Sequence, residues 1–223
     1  MYGGLGNQMC KFAALYAMGQ VLRRTPAYLI EEMTMRNNEQ EIAALFPMFY
    51  GMVHYFTRQN LSVRQFELAK TCCDYQDPVV GNKSHKLCIH VRTGDFISWH
   101  WESKPNTTSE AIKRIAQNFA EKGIDYSLVF LGQDKEFFKQ VNLNKQQKRN
   151  VFVTPKDISR GDEMCLGATT CDSLLLTAHI STYGFWIGYL MPDNSQIYYI
   201  ANFKTSKLHT PGQFPPEWVH FDL

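Results

Sequence analysis

The second half of this 223-residue chain alternates between short apolar strands and helical segments, and this pattern restricts the fold more than any other feature. The predicted strands are rich in β-branched, aromatic and leucine residues, and occupy residues 87–91, 126–131, 150–154, 173–177 and 196–200. Helical periodicity fills the gaps, at residues 109–123, 135–141, 162–168 and 185–190. Strands that alternate with helices form parallel sheets covered by helices on both faces. The sequence therefore predicts a doubly wound α/β fold.

The first third of the chain is less regular. Apolar spacing predicts a helix at residues 9–22 and another at 39–46, with a short strand at 27–30 between them. Asp77-Pro78 and Gly81-Asn82 interrupt the pattern before the central strand. We therefore place a domain boundary there, with one region at residues 1–85 and a second at 86–223.

Composition excludes several classes of protein. The formal net charge is only +2 and the basic residues are scattered, whereas a nucleic-acid surface requires clustered Lys and Arg. The sequence has no apolar run of about 18 residues, so we expect no membrane span in this chain.

Cysteines and glycosylation sequons indicate the compartment. None of the six cysteines forms a paired C-x-x-C pattern, so we expect no zinc site. Three Asn-x-Ser/Thr triplets begin at Asn60, Asn82 and Asn106. Together with the cysteines they favour a secretory location.

A turn directly after the strand at 87–91 carries the most informative single residue. Arg92 is followed by Gly94 and Asp95, at the carboxyl end of a strand, where open α/β sheets bind ligands. A guanidinium is permanently charged and its planar donors suit a phosphate. The alternative is a strand capped by a surface pair of Arg92 and Asp95. Local sequence alone leaves both readings open.

The first residues form a glycine-rich stretch at 3–8, predicted as a loop before the helix at 9–22. Glycines permit close approach to the backbone, and helix N-terminal amides attract anions. The spacing G-x-G-x-x-G is not met, so a simple helix-capping turn is equally compatible with the pattern.

Three motifs occur in a specific order along the chain, and together they resemble the α1,2-fucosyltransferases of glycosyltransferase family 11. They are GGLGNQM at residues 3–9, HVRTGD at 90–95 and STYGFWIGYL at 181–190, supported by IYYIAN at 197–202 and PEW at 216–218. The resemblance implies a GT-B-like fold with two Rossmann-like halves, of which the N-terminal half is abbreviated here.

The resemblance also implies a reaction. Fucose would pass from GDP-fucose to the 2-hydroxyl of a β-linked galactose on a glycan, with inversion at the anomeric carbon and no metal or other cofactor. The partners expected are therefore GDP-fucose and a galactose-terminated acceptor glycan. The full-length product is expected to be membrane-anchored, with its catalytic part in the Golgi lumen.

By position in these motifs, Arg92 is the predicted contact to the donor pyrophosphate, and Asp95 is a candidate catalytic base. Asp95 could instead hold the turn or orient Arg92, and Glu102 is a less favoured base. The predicted substrate-binding residues are Asn7, Gln8, His90, Ser181, Thr182 and Gly184.

One motif position departs from the family. Thr93 stands where the family usually has a second arginine, which removes one charge from the expected phosphate clamp. The departure predicts weak donor binding and keeps an alternative open: a catalytically inactive, shortened paralogue that binds a sugar or a protein partner.

Overall fold

A computed structural model describes residues 4–22, 27–29, 54–56, 83–201 and 214–223. The chain divides into two compact units, which are described separately. The first comprises Met1–Asp74 and Ser159–Cys165, and the second comprises Tyr75–Ile158 and Leu166–Leu223.

In the first unit, helix α1 spans Leu5–Leu22, and strands β1 (Ala27–Leu29) and β2 (His54–Phe56) pair in parallel. The predicted strand at 27–30 is confirmed. The predicted loop at 3–8 is wrong in extent, because α1 already begins at Leu5. The predicted helix at 39–46 and the predicted boundary at 77–82 lie outside the described residues.

The second unit contains a six-stranded sheet in which every neighbouring pair of strands is parallel. Its spatial order is β5-β4-β3-β6-β7-β8. The strands are β3 (His85–His90), β4 (Tyr126–Leu131), β5 (Val151–Val153), β6 (Ser173–Leu176), β7 (Gln196–Ile200) and β8 (Val219–Phe221). The α/β prediction is confirmed, with the Rossmann-like arrangement that it implies.

The described part of the second unit also holds the α-helices α2 (Pro105–Glu121), α3 (Lys145–Arg149) and α5 (Thr182–Leu190), and the 3-10 helices Gly94–Trp99 and Phe137–Gln140. Helix α4 (Arg160–Thr170) is shared, because its residues 160–165 are assigned to the first unit and 166–170 to the second. The prediction that Ser109 begins a helix is wrong. Proline is well suited to the first helical position, because a backbone N–H at that position would have no acceptor within the helix. Accordingly α2 begins at Pro105, and the Ser109 hydroxyl donates to the Pro105 carbonyl at 2.6 Å.

Sequence periodicity does not reveal β8. Val219 and His220 are both exposed, so the strand has no alternation of apolar and polar residues. β8 is joined to the sheet by its pairing with β7 and by the Phe221 ring, which stacks on Tyr198 with 5.6 Å between the ring centres. The predicted helix at 135–141 is likewise present only as the short 3-10 helix Phe137–Gln140.

The main apolar core joins α2 to four strands of the sheet, β3, β4, β6 and β7. Leu87, Ile89 and Leu128 are fully buried, and they belong to one cluster with Ile112 and Ile115 of α2. Burial of each such side chain contributes about 1.5–3 kcal/mol. β3 and β4 are therefore held firmly by this core.

A buried disulfide joins Cys88 in β3 to Cys171, just before β6. The two cysteines are 83 residues apart in sequence. On the chain-entropy model, closing a loop of this length destabilises the unfolded state by about 4.5 kcal/mol. The disulfide therefore fixes β3 and β6 as neighbours.

The strand order reverses direction between these two strands. From β3 the chain proceeds to β4 and β5 on one side, and then returns to β6, β7 and β8 on the other. Connections that leave adjacent parallel strands in opposite directions open a crevice at their carboxyl ends, where α/β proteins bind ligands. In this sheet the crevice lies beyond His90 and Leu176.

At the opposite end of β3, burial gives the stability of this unit a dependence on pH. The His85 ring packs edge-on against Phe119 at 4.7 Å, and its Nε2 lies 2.9 Å from the Ser173 hydroxyl. Burial lowers the pKa of His85 below 6.5, and this outweighs the opposing attraction of Asp172. The unfolded chain therefore takes up a proton at a pH where the folded chain does not.

We predict that the free energy of unfolding falls as pH drops through about 6.5, because protonation then favours the unfolded state. The control His85→Gln offers a side-chain amide as a hydrogen-bond donor but cannot titrate. Its free energy of unfolding should therefore fall less over the same change in pH. Urea denaturation at about pH 7.5 and about pH 5.5 measures both slopes. Equal slopes in the two proteins would contradict the assignment to His85.

Candidate functional site

Arg92 lies two residues beyond the end of β3, at the crevice. Its guanidinium forms an ion pair with Asp95 Oδ1 at 2.7 Å and lies 5.0 Å from the centre of the Phe96 ring. Gly94 has a φ of +58°, and the 3-10 helix that starts there returns the Asp95 carboxylate toward Arg92. The turn thus holds one half-buried positive charge at the carboxyl edge of the sheet.

The backbone at Arg92 is fixed by two buried hydroxyls. The Arg92 amide donates to the Ser103 Oγ at 2.8 Å, and that oxygen lies 2.5 Å from the Thr177 Oγ1. Thr177 in turn donates to the His90 carbonyl at 2.7 Å. Because Thr177 directly follows β6, this hydroxyl relay joins the carboxyl ends of β3 and β6.

The N-terminus of α5 completes the crevice from the β6 side. Ser181 caps the helix by accepting a hydrogen bond from the Gly184 amide at 3.2 Å. A Cβ at Gly184 would lie only 2.6 Å from the His90 Nδ1, so the first turn of α5 packs directly on the buried imidazole ring. Glycine at this position is what allows the helix to approach so closely.

The electrostatics of this arrangement favour an anion. Backbone amides at a helix N-terminus carry partial positive charge, equivalent to about half a unit for the whole helix. Arg92 adds a full charge on the neighbouring strand. A guanidinium beside helix-terminal amides is a suitable environment for a phosphate or diphosphate.

Thr93 faces the other side of the turn. Its hydroxyl is 3.4 Å from Asp134 Oδ2, a long and weak hydrogen bond, and Asp134 lies just after β4. Position 93 is therefore directed toward the β4 side, whereas Ser103 and Thr177 meet on the β6 side.

Two further carboxylates lie near this turn and differ in environment. The Asp95 side chain is 69% exposed. Glu102 has its Oε2 buried, with no hydrogen-bond partner in the part of the chain that the structure describes.

The structure brings most of the predicted site residues to one edge of one sheet. His90 and Arg92 come from the end of β3, and Asp95 follows in the same turn. The residues contributed by the N-terminal region of α5 are Ser181, Thr182 and Gly184. Asn7 and Gln8 lie in the first turn of α1 in the other unit, where Asn7 is exposed and Gln8 is buried.

Sequence reasoning missed Ser103 and Thr177 as members of this site. They are 74 residues apart, and neither belongs to a recognisable motif. The only available signal was the position of Thr177 at the carboxyl end of a predicted strand.

In the described ranges, no group of three or more His, Cys, Asp or Glu side chains is arranged to hold a metal ion. No described helix is long and apolar enough to cross a membrane.

Comparison with known proteins supplies the family evidence. The model of Glycosyl transferase family 11 matches residues 54–222, which is more than half of the chain. A putative galactoside 2-alpha-L-fucosyltransferase of Caenorhabditis elegans is 22% identical over 96% of this chain and 75% of its own length. A galactoside 2-alpha-L-fucosyltransferase of the same organism is also 22% identical, over 96% of this chain and 76% of its own length. No solved structure matches the chain.

The contact between α5 and His90 gives a direct test of the crevice. We predict that Gly184→Ala displaces the helix terminus, because the new methyl group overlaps a buried ring, and that it lowers the free energy of unfolding by about 1–3 kcal/mol. Calorimetry with inorganic pyrophosphate should show affinity reduced at least about tenfold, or 1.4 kcal/mol.

Gly188→Ala is the matched control in the same helix, since its Cβ would lie 3.0 Å from the Trp218 ring, away from His90. It should leave pyrophosphate affinity unchanged, whether or not the Trp218 ring can shift by the few tenths of an ångström that the new methyl group requires. Equal loss of affinity in both variants would show that α5 affects binding only through general stability.

Proposed function

Because the chain belongs to glycosyltransferase family 11, we propose that it transfers fucose from GDP-fucose to the 2-hydroxyl of a β-linked galactose on a glycan, inverting the anomeric carbon. The galactoside acceptor is supported by the names of two relatives from Caenorhabditis elegans. The donor is supported by the anion-binding character of the crevice, which suits the diphosphate of a nucleotide sugar.

One observation carries this proposal: Arg92 follows β3 and the Ser181-capped helix α5 follows β6, so both come from the carboxyl ends of the two strands between which the strand order reverses. Nucleotides bind to doubly wound sheets at such a point. The hydroxyl relay through Ser103 and Thr177 holds both sides of the crevice in register.

The chemistry follows from where charge develops. Cleavage of the bond between the fucose C1 and the donor oxygen leaves a negative charge on the β-phosphate of GDP. A positioned guanidinium and helix-terminal amides stabilise that charge more in the transition state than in the ground state. Arg92 is therefore the group that we assign to the leaving diphosphate.

The proposed inversion also bears on Asp95. In an inverting displacement the acceptor attacks the sugar face opposite the leaving group, so its base must lie on that face. Asp95 lies 2.7 Å from the guanidinium that we assign to the leaving group. This geometry favours Asp95 as a positioning residue for Arg92 over Asp95 as the catalytic base.

We also propose that transfer requires no metal. The fixed charges of Arg92 and the α5 amides would provide the neutralisation that a divalent cation provides in other glycosyl transfers.

The proposed compartment is the Golgi lumen. A buried disulfide between Cys88 and Cys171 supports residence in an oxidising compartment, since cytosolic proteins rarely keep such bonds. Cys165 is disulfide-bonded as well.

We predict that Arg92→Ala lowers kcat/KM by at least about a hundredfold, the scale for loss of one preorganised donor. The fold should survive, because Arg92 is only half-buried. Transfer of radiolabelled fucose to a β-galactoside measures the effect. Arg92→Lys should recover only part of it, since an ammonium cannot bind a phosphate through two donors.

Asp95→Asn is the contrasting variant. If Asp95 is a positioning residue, its replacement by asparagine should lower kcat/KM by only about tenfold. The pH profile of kcat should keep its shape, whereas loss of its acidic limb would identify Asp95 as the base. Normal turnover in Arg92→Ala would overturn the assignment of Arg92 to the diphosphate. No binding of GDP at millimolar concentration would instead support a non-catalytic paralogue.

Chelation tests the metal proposal. Transfer should continue at an unchanged rate after dialysis against EDTA, because the charges assigned to the diphosphate belong to the protein. Activity that disappears with EDTA and returns with Mn²⁺ would overturn this part of the proposal.

Microscopy tests the compartment. The endogenous protein should overlap a Golgi marker in its own cells, and the disulfide between Cys88 and Cys171 should be found by peptide mapping without reduction. A diffuse cytosolic signal with reduced cysteines would contradict it.

A further inference from the structure

The start of α2 carries a glycosylation sequon, formed by Asn106, Thr107 and Thr108. Asn106 is the second residue of the helix, and its side chain is exposed. Thr108 is completely buried. The sequon thus presents its acceptor amide to solvent and hides the hydroxyl that defines it.

Thr108 is an unusual member of the buried face of α2. The other buried residues of that helix are apolar: Ala111, Ile112, Ile115 and Phe119. The Thr108 hydroxyl has no hydrogen-bond partner in the described part of the chain. Lys104, whose carbonyl lies one turn back, already accepts from the Thr108 amide at 3.0 Å and from the Thr107 hydroxyl at 3.2 Å.

A buried hydroxyl without a partner destabilises a folded protein, and valine would fill the same volume without that penalty. Among the residues that the structure describes, packing therefore gives no reason for a hydroxyl at position 108. The one chemical property that threonine has and valine lacks is the property that a sequon requires at its third position. We propose that Asn106 is a site of N-linked glycosylation.

The modification is a group transfer to the nascent chain in the secretory pathway. The Asn106 side-chain nitrogen forms a bond to C1 of the first sugar of a lipid-pyrophosphate-linked oligosaccharide. The bond from that C1 to the pyrophosphate oxygen breaks, the amide nitrogen loses one proton to a base, and the lipid pyrophosphate leaves. No electrons are exchanged with an oxidant or a reductant.

The folded protein has room for the product. Asn106 lines a cleft of about 920 Å³ whose walls include residues of α2 and of the segment 142–147. Amide side chains contribute much of its lining, among them Gln117, Asn142, Asn144 and Gln146. Amides can donate to and accept from the hydroxyl and acetamido groups of a glycan core. A glycan on Asn106 would therefore extend from the surface without displacing the packed side of the helix.

The proposal is independent of catalysis and depends only on passage through the secretory pathway. The test uses the full chain behind a cleavable secretory leader, in a background with Asn60→Gln and Asn82→Gln. Removal of the leader and formation of the disulfide between Cys88 and Cys171 establish entry into the lumen. One glycan is expected, and its enzymatic release should convert Asn106 to aspartate in the peptide mass spectrum. A lumenal protein with unmodified Asn106 overturns the proposal.

Variants at position 108 separate the sequon from the packing. Thr108→Ser should keep the glycan, and Thr108→Val should lose it. In unglycosylated proteins that carry Asn106→Gln, adding Thr108→Val should raise Tm by about 2–4 °C, because a methyl group replaces the unpaired hydroxyl. A lower Tm would show that the hydroxyl serves the fold, which removes the basis of the proposal.

Discussion

The parallel pairing of β3 with both β4 and β6 is the constraint on which the rest of the second unit depends. β3 is aligned over six residues with β4 and over four with β6. Its buried side chains therefore contribute to the core with α2, and its carboxyl end contributes to the crevice. Because connections leave β3 and β6 in opposite directions, the crevice follows from the strand order alone.

Covalent and polar links hold these two strands at both ends. The disulfide between Cys88 and Cys171 ties β3 to the start of β6, and the Ser103–Thr177 hydroxyl pair ties their carboxyl ends. A one-residue slip of β6 would break both links at once. The carboxyl ends of β3 and β6, from which Arg92 and α5 follow, are thus held in one register.

Much of this could be predicted from the sequence because it is locally encoded. β4 is bounded by the residues predicted, and the Ser181 turn precedes an apolar helix as expected. Contacts between distant residues were beyond such reasoning. No local pattern shows that Thr177 reaches Ser103, or that Thr93 turns toward Asp134. β8 was not predicted for a related reason. It forms by pairing with β7, and its exposed residues show no periodicity.

The ion pair between Arg92 and Asp95 makes the protein its own competitor for anions. A tethered carboxylate occupies the guanidinium at a high effective concentration, which no dilution removes. Because Asp95 is mostly exposed, the ion pair contributes only about 0.2–1 kcal/mol. Competition from Asp95 therefore lowers the affinity of Arg92 for any anion by less than about tenfold. A ligand with a single charge gains little from displacing it. A diphosphate that also reached the α5 amides would recover that loss, so the exposed carboxylate would give multiply charged anions a small advantage over simple ones.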